Sequence, residues 1–185
     1  MLGKKMLNSC LSMMTILGIN LAYANSMVIP INLVTKDGQD KNIGTIKLED
    51  VMGGVLITPN LHDLTPGIHG FHVHEKPSCA ENGMAAGGHL DPKKTNQHHG
   101  PYAKKGHLGD MPVLVVDSDG NATLPTFAPR FKLANIKNHT LMIHAGGDNY
   151  SDKPEKLGGG GERIACGVIA IDPNYQISYK ANLSG

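Results

Sequence analysis

Seven of the ten histidines in this chain fall between His69 and His107, and Asp110 closes the run. The stretch reads HGFHVHEKPSCAENGMAAGGHLDPKKTNQHHGPYAKKGHLGD. Neutral imidazole is the commonest metal ligand and suits zinc and copper alike, so a run this dense points to coordination chemistry. His72 and His74 lie two apart in an extended apolar run, which sends both side chains off one face of a strand about 7 Å apart. An HxH pair alone is weak evidence, because one member is often an ordinary core or surface histidine. It gains weight from His89, His98 and His107, spaced nine apart, with Asp110 three residues further on. Three imidazoles and a carboxylate complete a tetrahedral shell of the kind that closes a structural zinc site. The competing reading, a merely polar histidine-rich loop, gives the loop no reason to be ordered. His99 is as eligible as His98 by spacing, whereas His62 and His139 read as surface or capping residues.

Such ligands need rigid elements to hold them. Met27 to Thr35 has strand character, Asp37-Gly38 supplies a turn, and Ile43 to Leu48 resumes the pattern, which predicts a hairpin. Val55 to Leu61 and Ile68 to His74 are two further strand-length runs separated by Pro66-Gly67, with Pro59 marking an edge or an irregularity. Residues 76–110 show no period; a loop this long in a compact domain needs pins, and the histidines and Cys79 can supply them. Strands are expected again at Val113 to Val116, Ala122 to Phe127 beyond an Asp119-Gly120 turn, Thr140 to His144, Ile164 to Ile171 and Gln176 to Tyr179. The class predicted is all-β: an antiparallel Greek-key sandwich or flattened barrel of about eight strands with two long functional loops, the second over 145–162. LGGGG at 157–161 is either a flexible connector or backbone that must approach something closely.

With 185 residues, 40% of them hydrophobic, the chain fits one domain with a core. Residues 1–24 differ: Lys4 and Lys5 begin a basic start, Leu7 to Leu21 is mostly apolar, and Ala22-Tyr23-Ala24 matches a small-x-small cleavage site. We read 1–24 as a signal peptide and 25–185 as the mature domain. The apolar run is broken by Asn8, Ser9, Ser12 and Asn20 and is too short to cross a membrane comfortably, so no anchor is expected after cleavage. Cys10 precedes most of that run, which argues against a lipid attachment. Cleavage leaves 15 basic against 16 acidic residues, and a near-neutral chain without a basic stripe excludes nucleic acid as the expected partner. Cys79 and Cys166 remain, and in an exported protein two cysteines most simply pair. That bridge would stabilise by roughly 4–5 kcal/mol on the chain-entropy account. Two free thiols would need a reducing compartment.

GFHVHE at 70–75, GGHLDP at 87–92, HHGP at 98–101, GHLGD at 106–110, IHAGGD at 143–148 and GGGGERIACGVIAI at 158–171 resemble copper-zinc superoxide dismutase of the exported bacterial type. The resemblance runs through the mature chain in order and implies a periplasmic enzyme that converts superoxide to dioxygen and hydrogen peroxide. It implies copper on His72, His74, His89 and His144, and zinc on His89, His98, His107 and Asp110, with His98 chosen over His99. His89 would be shared, its ring stripped of both N–H protons between two divalent ions. It would also carry a proton during turnover. Asp148 resembles the aspartate that hydrogen-bonds ligands of both metals, and His69 an orienting histidine behind them. Arg163 matches an arginine that holds a small anion at the mouth of the copper channel. Lys153 and Lys156 are candidates for steering anions, although solvated surface lysines are the simpler reading. Both monomers and homodimers are compatible with the sequence. A binuclear zinc hydrolase, for which Glu75 is the sole local acid, and a copper-delivery module are the rival classes; the complete ligand sets and Arg163 weigh against both.

Overall fold

The computed structural model describes residues 25–170. The expected signal peptide at 1–24, Ile171 and the strand expected at Gln176 to Tyr179 lie outside them. Among the described residues there are nine strands: β1 (Ser26–Thr35), β2 (Gly38–Val51), β3 (Gly54–Leu61), β4 (Gly67–His69), β5 (Phe71–His74), β6 (Leu114–Val116), β7 (Thr126–Ala128), β8 (His139–His144) and β9 (Arg163–Ile169). Seven form one curled antiparallel sheet in the order β5-β8-β9-β1-β2-β3-β7, and β4 with β6 makes a separate ribbon. The expected all-β fold is therefore present, as a half-barrel.

Side chains alternate along these strands, and the buried ones are the aliphatics that favour a pleated, half-buried surface. Ile29 and Ile31 of β1, Ile46 and Leu48 of β2, Val55 and Ile57 of β3, and Leu141 and Ile143 of β8 join one continuous core. The β1–β2 hairpin closes with Thr35 facing Gly38, so its turn residues are Lys36 and Asp37, one position before the expected Asp37-Gly38. Pro59 sits in β3 between the Ile57–Thr126 pairing and the Leu61–Ala122 bridge, where a residue without an N–H costs the ladder little.

Two expected strands are broken. Ile68 to His74 divides at Gly70, whose N–H donates to Gly146 O (2.7 Å) while its own carbonyl accepts from His144 N (2.9 Å). The chain thereby leaves the β4–β6 ribbon and enters the edge of the main sheet as β5. Ala122 to Phe127 keeps only a bridge at Ala122 and the short β7, because Pro125 has no donor to sustain the ladder between them.

β5 pairs with β8, placing His72 opposite Met142 and His74 opposite Thr140. β8 pairs in turn with β9, and a register shift after Ile143 sets His144 opposite Arg163. The site therefore stands on paired strands and not on loops alone. Replacing Ile46, fully buried at the centre of the sheet, by alanine is expected to cost about 2–5 kcal/mol. Urea unfolding measures it, and a loss below about 1 kcal/mol would contradict the packing described.

Candidate metal centre

The free edge of β5 is covered by the long loop instead of another strand. Val73 N–H donates to Gly109 O (2.9 Å), Leu90 N–H to Val73 O (2.8 Å) and Gly109 N–H to Leu90 O (2.9 Å). These bonds bring His89 beside His74 and Asp110 beside His72 as isolated bridges. A side chain at 109 would put its Cβ 2.2 Å from Val73 O, so only glycine allows this seam.

Two clusters result. His72, His74, His89 and His144 form one; His89, His98, His107 and Asp110 form the other; within each, the potential ligand atoms all lie within 4.8 Å of one another. Every member is buried. The His72 and His89 rings stack with centroids 3.8 Å apart. His99, the spacing alternative to His98, is exposed and contributes only a backbone N–H to Asp110 Oδ2 (3.2 Å).

The hydrogen bonds of the rings show which nitrogens are left for an ion. His72 uses Nε2 on Asp148 Oδ2 (2.9 Å), and His98 uses Nε2 on Asp148 Oδ1 (2.7 Å). His74 uses Nδ1 on Gly87 O (3.0 Å), which leaves its Nε2 3.4 Å from His144 Nε2. His72 Nδ1, His89 Nε2, His98 Nδ1 and His107 Nδ1 are buried without a hydrogen-bond partner. In the second cluster His89 Nδ1, His98 Nδ1 and His107 Nδ1 converge on the single oxygen Asp110 Oδ1 at 3.1, 2.9 and 3.3 Å. One carboxylate oxygen cannot serve three donors in alignment, whereas a cation at the centre satisfies all four groups. Orphaned buried ring nitrogens cost free energy in any metal-free account, and their number here fits two ions.

Burial, reinforced by the neighbouring His89, keeps the His72 and His74 rings well below the ordinary imidazole range. Burial likewise lowers His89, and lowers His144 to about 4. Neutral rings are the form that binds a metal. At His98 burial acts in the same direction, but Asp110 and Asp148 outweigh it and raise the ring to about 9. At Asp110 burial pushes the carboxyl up, and bonds from His107, His89 and His98 overcome this and hold it well below the usual carboxylate range.

Asp148 thus joins the two clusters, one oxygen to each, with its side chain fully buried. Two glycines of the 157–161 run are close-approach backbone: a Cβ on Gly158, whose φ is +74°, would lie 1.9 Å from Asp148 Oδ1, and one on Gly160 3.2 Å from the His144 ring, whereas one on Gly161 would meet open space. His69 is buried with Nδ1 on His144 O (2.6 Å) and Nε2 on Thr65 O (2.7 Å), so it touches the backbone of a cluster residue and not a ring.

Other anchors carry no sequence signal. Arg130 donates to Gly100 O (3.1 Å) and Gly106 O (2.8 Å), both inside the His98 to His107 segment. Asp152 accepts from His98 N (2.9 Å). Both bond to backbone, and backbone leaves no trace in residue types.

Arg163 donates from Nη1 to Gly83 O (2.6 Å) and from Nη2 to Gly87 O (2.7 Å), the second of these carbonyls being the one that orients His74. Cys79 and Cys166 form a disulfide, with Cα atoms 6.1 Å apart, that ties this loop to β9. A cavity of about 420 Å³ is lined by His89, His144, Lys156 and Arg163 among others. Lys153 lines a different cavity beside His98, His99 and Tyr150, so the structure separates the two lysines that sequence had grouped. Glu75 is exposed and belongs to neither cluster, which removes the acid a hydrolase would require.

A half-barrel carrying two buried, nitrogen-rich ion sites that share one imidazole defines a binuclear metalloprotein. Residues 42–169 match the family model described as copper/zinc superoxide dismutase (SODC). The chain is 55% identical over 154 residues to Superoxide dismutase [Cu-Zn] 1 of Salmonella typhimurium, covering 78% of this chain and 87% of the relative. Its structure superposes on that of Cu/Zn superoxide dismutase from Brucella abortus with a TM-score of 0.74 at 47% identity, covering 78% of this chain and 99% of the other. It also superposes on the solution structure of the monomeric copper, zinc superoxide dismutase from Salmonella enterica, with a TM-score of 0.70 at 52% identity, covering 78% and 99%. The chain belongs to the copper/zinc superoxide dismutase family, an oxidoreductase family that dismutates superoxide with copper and zinc as cofactors.

Gly158→Ala is expected to displace Asp148 and lower metal retention about 10–100-fold, measured as zinc and copper release to a chelator. Retention equal to wild type would mean that Asp148 does not order the two clusters.

Proposed function

We propose that His72, His74, His89 and His144 hold copper, that His89, His98, His107 and Asp110 hold zinc, and that His89 bridges them. The observation that carries this reading is the His89 ring: its buried Nε2 has no protein partner, while its Nδ1 lies 3.1 Å from Asp110 Oδ1 in the other cluster. The division of metals follows from ligand type. The carboxylate-containing set matches a closed zinc shell, and the all-imidazole set beside the cavity suits copper. Copper held there would supply a one-electron redox couple, through which two superoxides and two protons yield dioxygen and hydrogen peroxide.

The protein's own contribution is to orient, admit and protonate. Arg163 stands on the wall of the cavity with His89 and His144, and its guanidinium keeps donors beyond the two used on Gly83 and Gly87. Those donors can hold a small anion with direction, which an ammonium would do less well. His89 Nε2 is the nitrogen that takes up a proton and hands it to the departing peroxide. Lys156 is on the same wall, but Glu155 and Glu162 line it too, so the directed donors of Arg163 and not the net charge of the entrance select the anion. Every residue of both clusters comes from one chain, so catalysis requires no second copy. Export to the periplasm is supported by the leader pattern ending at Ala24 and by the Cys79–Cys166 bridge, which an oxidising compartment maintains.

Copper EPR combined with a superoxide-decay assay, on the isolated protein and on a chelated sample, tests the assignment. Activity should follow copper content, and activity that survives copper removal would refute it. Arg163→Glu is expected to leave copper and zinc content unchanged and to lower the superoxide rate about tenfold or more, with Arg163→Lys intermediate. Equal rates for all three would reduce Arg163 to a brace for the loop. The Cys79→Ser, Cys166→Ser double variant is expected to lose about 2–5 kcal/mol of stability by denaturant unfolding, and an unchanged midpoint would show the loop to be held by other contacts.

A further inference from the structure

The loop that carries His98 and His107 has a second face, turned away from the metals. There a cavity of about 360 Å³ is lined by Asp91, Lys93, Thr95, Lys104, Lys105 and Arg130, among others. That volume falls in the range of small-molecule sites, roughly 300–1,000 Å³. Four cations thus face one carboxylate, and the carboxylate is already engaged: Asp91 accepts from Thr95 Oγ1 (3.2 Å) and from Asn96 N (2.8 Å). Among the described residues no carboxylate lies within ion-pair distance of Lys93, Lys104 or Lys105. Lys41 and Lys47 do find acids, in Asp63 and Glu49, and what sets Lys93, Lys104 and Lys105 apart from the remaining exposed lysines is that they converge with Arg130 on one cavity. Arg130 spends one N–H each on Gly100 O and Gly106 O, and a guanidinium has five. It therefore fixes a planar donor at the cavity wall that still has N–H groups to offer.

We propose that this cavity is a binding site for a small polyanion with adjoining phosphate groups, either a free oligophosphate or a doubly phosphorylated sugar. One orthophosphate would leave most of the volume and part of the charge unmatched. Two linked phosphates can reach Arg130 on one side and the lysines on the other through charge-assisted hydrogen bonds. Gly106, whose carbonyl Arg130 holds, directly precedes His107, so the bound anion would brace the loop from outside without entering the cavity that contains Arg163.

Calorimetric titration of the copper- and zinc-loaded protein at constant ionic strength tests this, with metal content measured before and after. Pyrophosphate and a sugar bisphosphate, in separate arms, distinguish the two sources, and orthophosphate is the comparison. One saturable site is expected, at which orthophosphate binds about tenfold more weakly than the preferred diphosphate. The triple variant Lys93→Gln, Lys104→Gln, Lys105→Gln should weaken binding about tenfold or more. A control variant that removes the same charge elsewhere (Lys36→Gln, Lys47→Gln, Lys76→Gln) should bind as wild type does. Superoxide rate and circular dichroism should be unchanged in both variants, which separates loss of the site from loss of the fold. Absence of saturable binding, or an equal loss in the control variant, would overturn the proposal, since the second outcome makes the effect one of net charge only.

Discussion

The structure depends on the cost of burying ligand groups. Six histidines and two aspartates have their side chains almost entirely inside the protein around one locus, where an unpartnered polar atom costs more than a typical hydrogen bond contributes. At three rings the outer nitrogen is placed on protein: Asp148 takes Nε2 of His72 and of His98, and Gly87 O takes Nδ1 of His74. The other nitrogen of each then faces its cluster, His72 Nδ1 and His98 Nδ1 without an aligned partner and His74 Nε2 3.4 Å from His144 Nε2. Outer hydrogen bonds of this kind orient metal-binding imidazoles in general.

Both long loops are ordered by the same means, namely side chains that fork onto backbone carbonyls and glycines that allow backbone to lie against the site. Arg130 grips the loop that carries His98 and His107 at Gly100 and Gly106, and Arg163 grips the stretch that leads to His89 at Gly83 and Gly87. Guanidinium suits this task because its planar donors reach two acceptors at once. The Cys79–Cys166 bridge adds a covalent tie between the same loop and β9, the strand that begins with Arg163.

Much of this was legible in the sequence. HxH at two-residue spacing required a strand, and β5 is one; the nine-residue intervals of His89, His98 and His107 and the terminal Asp110 did mark one cluster. The β1–β2 hairpin also followed from local chemistry to within one residue, whereas the 157–161 run could be read equally as a connector or as close-approach backbone. What escaped was whatever depends on backbone acceptors or on position in three dimensions. The split of Ile68 to His74 turns on Gly70 bonding to Gly146 and His144, which are far away in sequence. Arg130 and Asp152 act on carbonyl and amide groups, which every residue possesses. Lys153 and Lys156 are three apart in sequence yet line different cavities, because the chain turns between them.

The two clusters differ in their acidic groups. Asp110 places one carboxylate among the imidazoles of His89, His98 and His107, whereas His72, His74, His89 and His144 are imidazoles alone. A carboxylate offsets part of a divalent cation's charge and a neutral imidazole offsets none, so the two clusters would not treat identical ions alike. The cavity beside the all-imidazole cluster carries Glu155 and Glu162 as well as Lys156 and Arg163 on its wall. Its lining charges therefore balance in number, and what Arg163 adds is direction: a planar guanidinium fixed by its bonds to Gly83 O and Gly87 O.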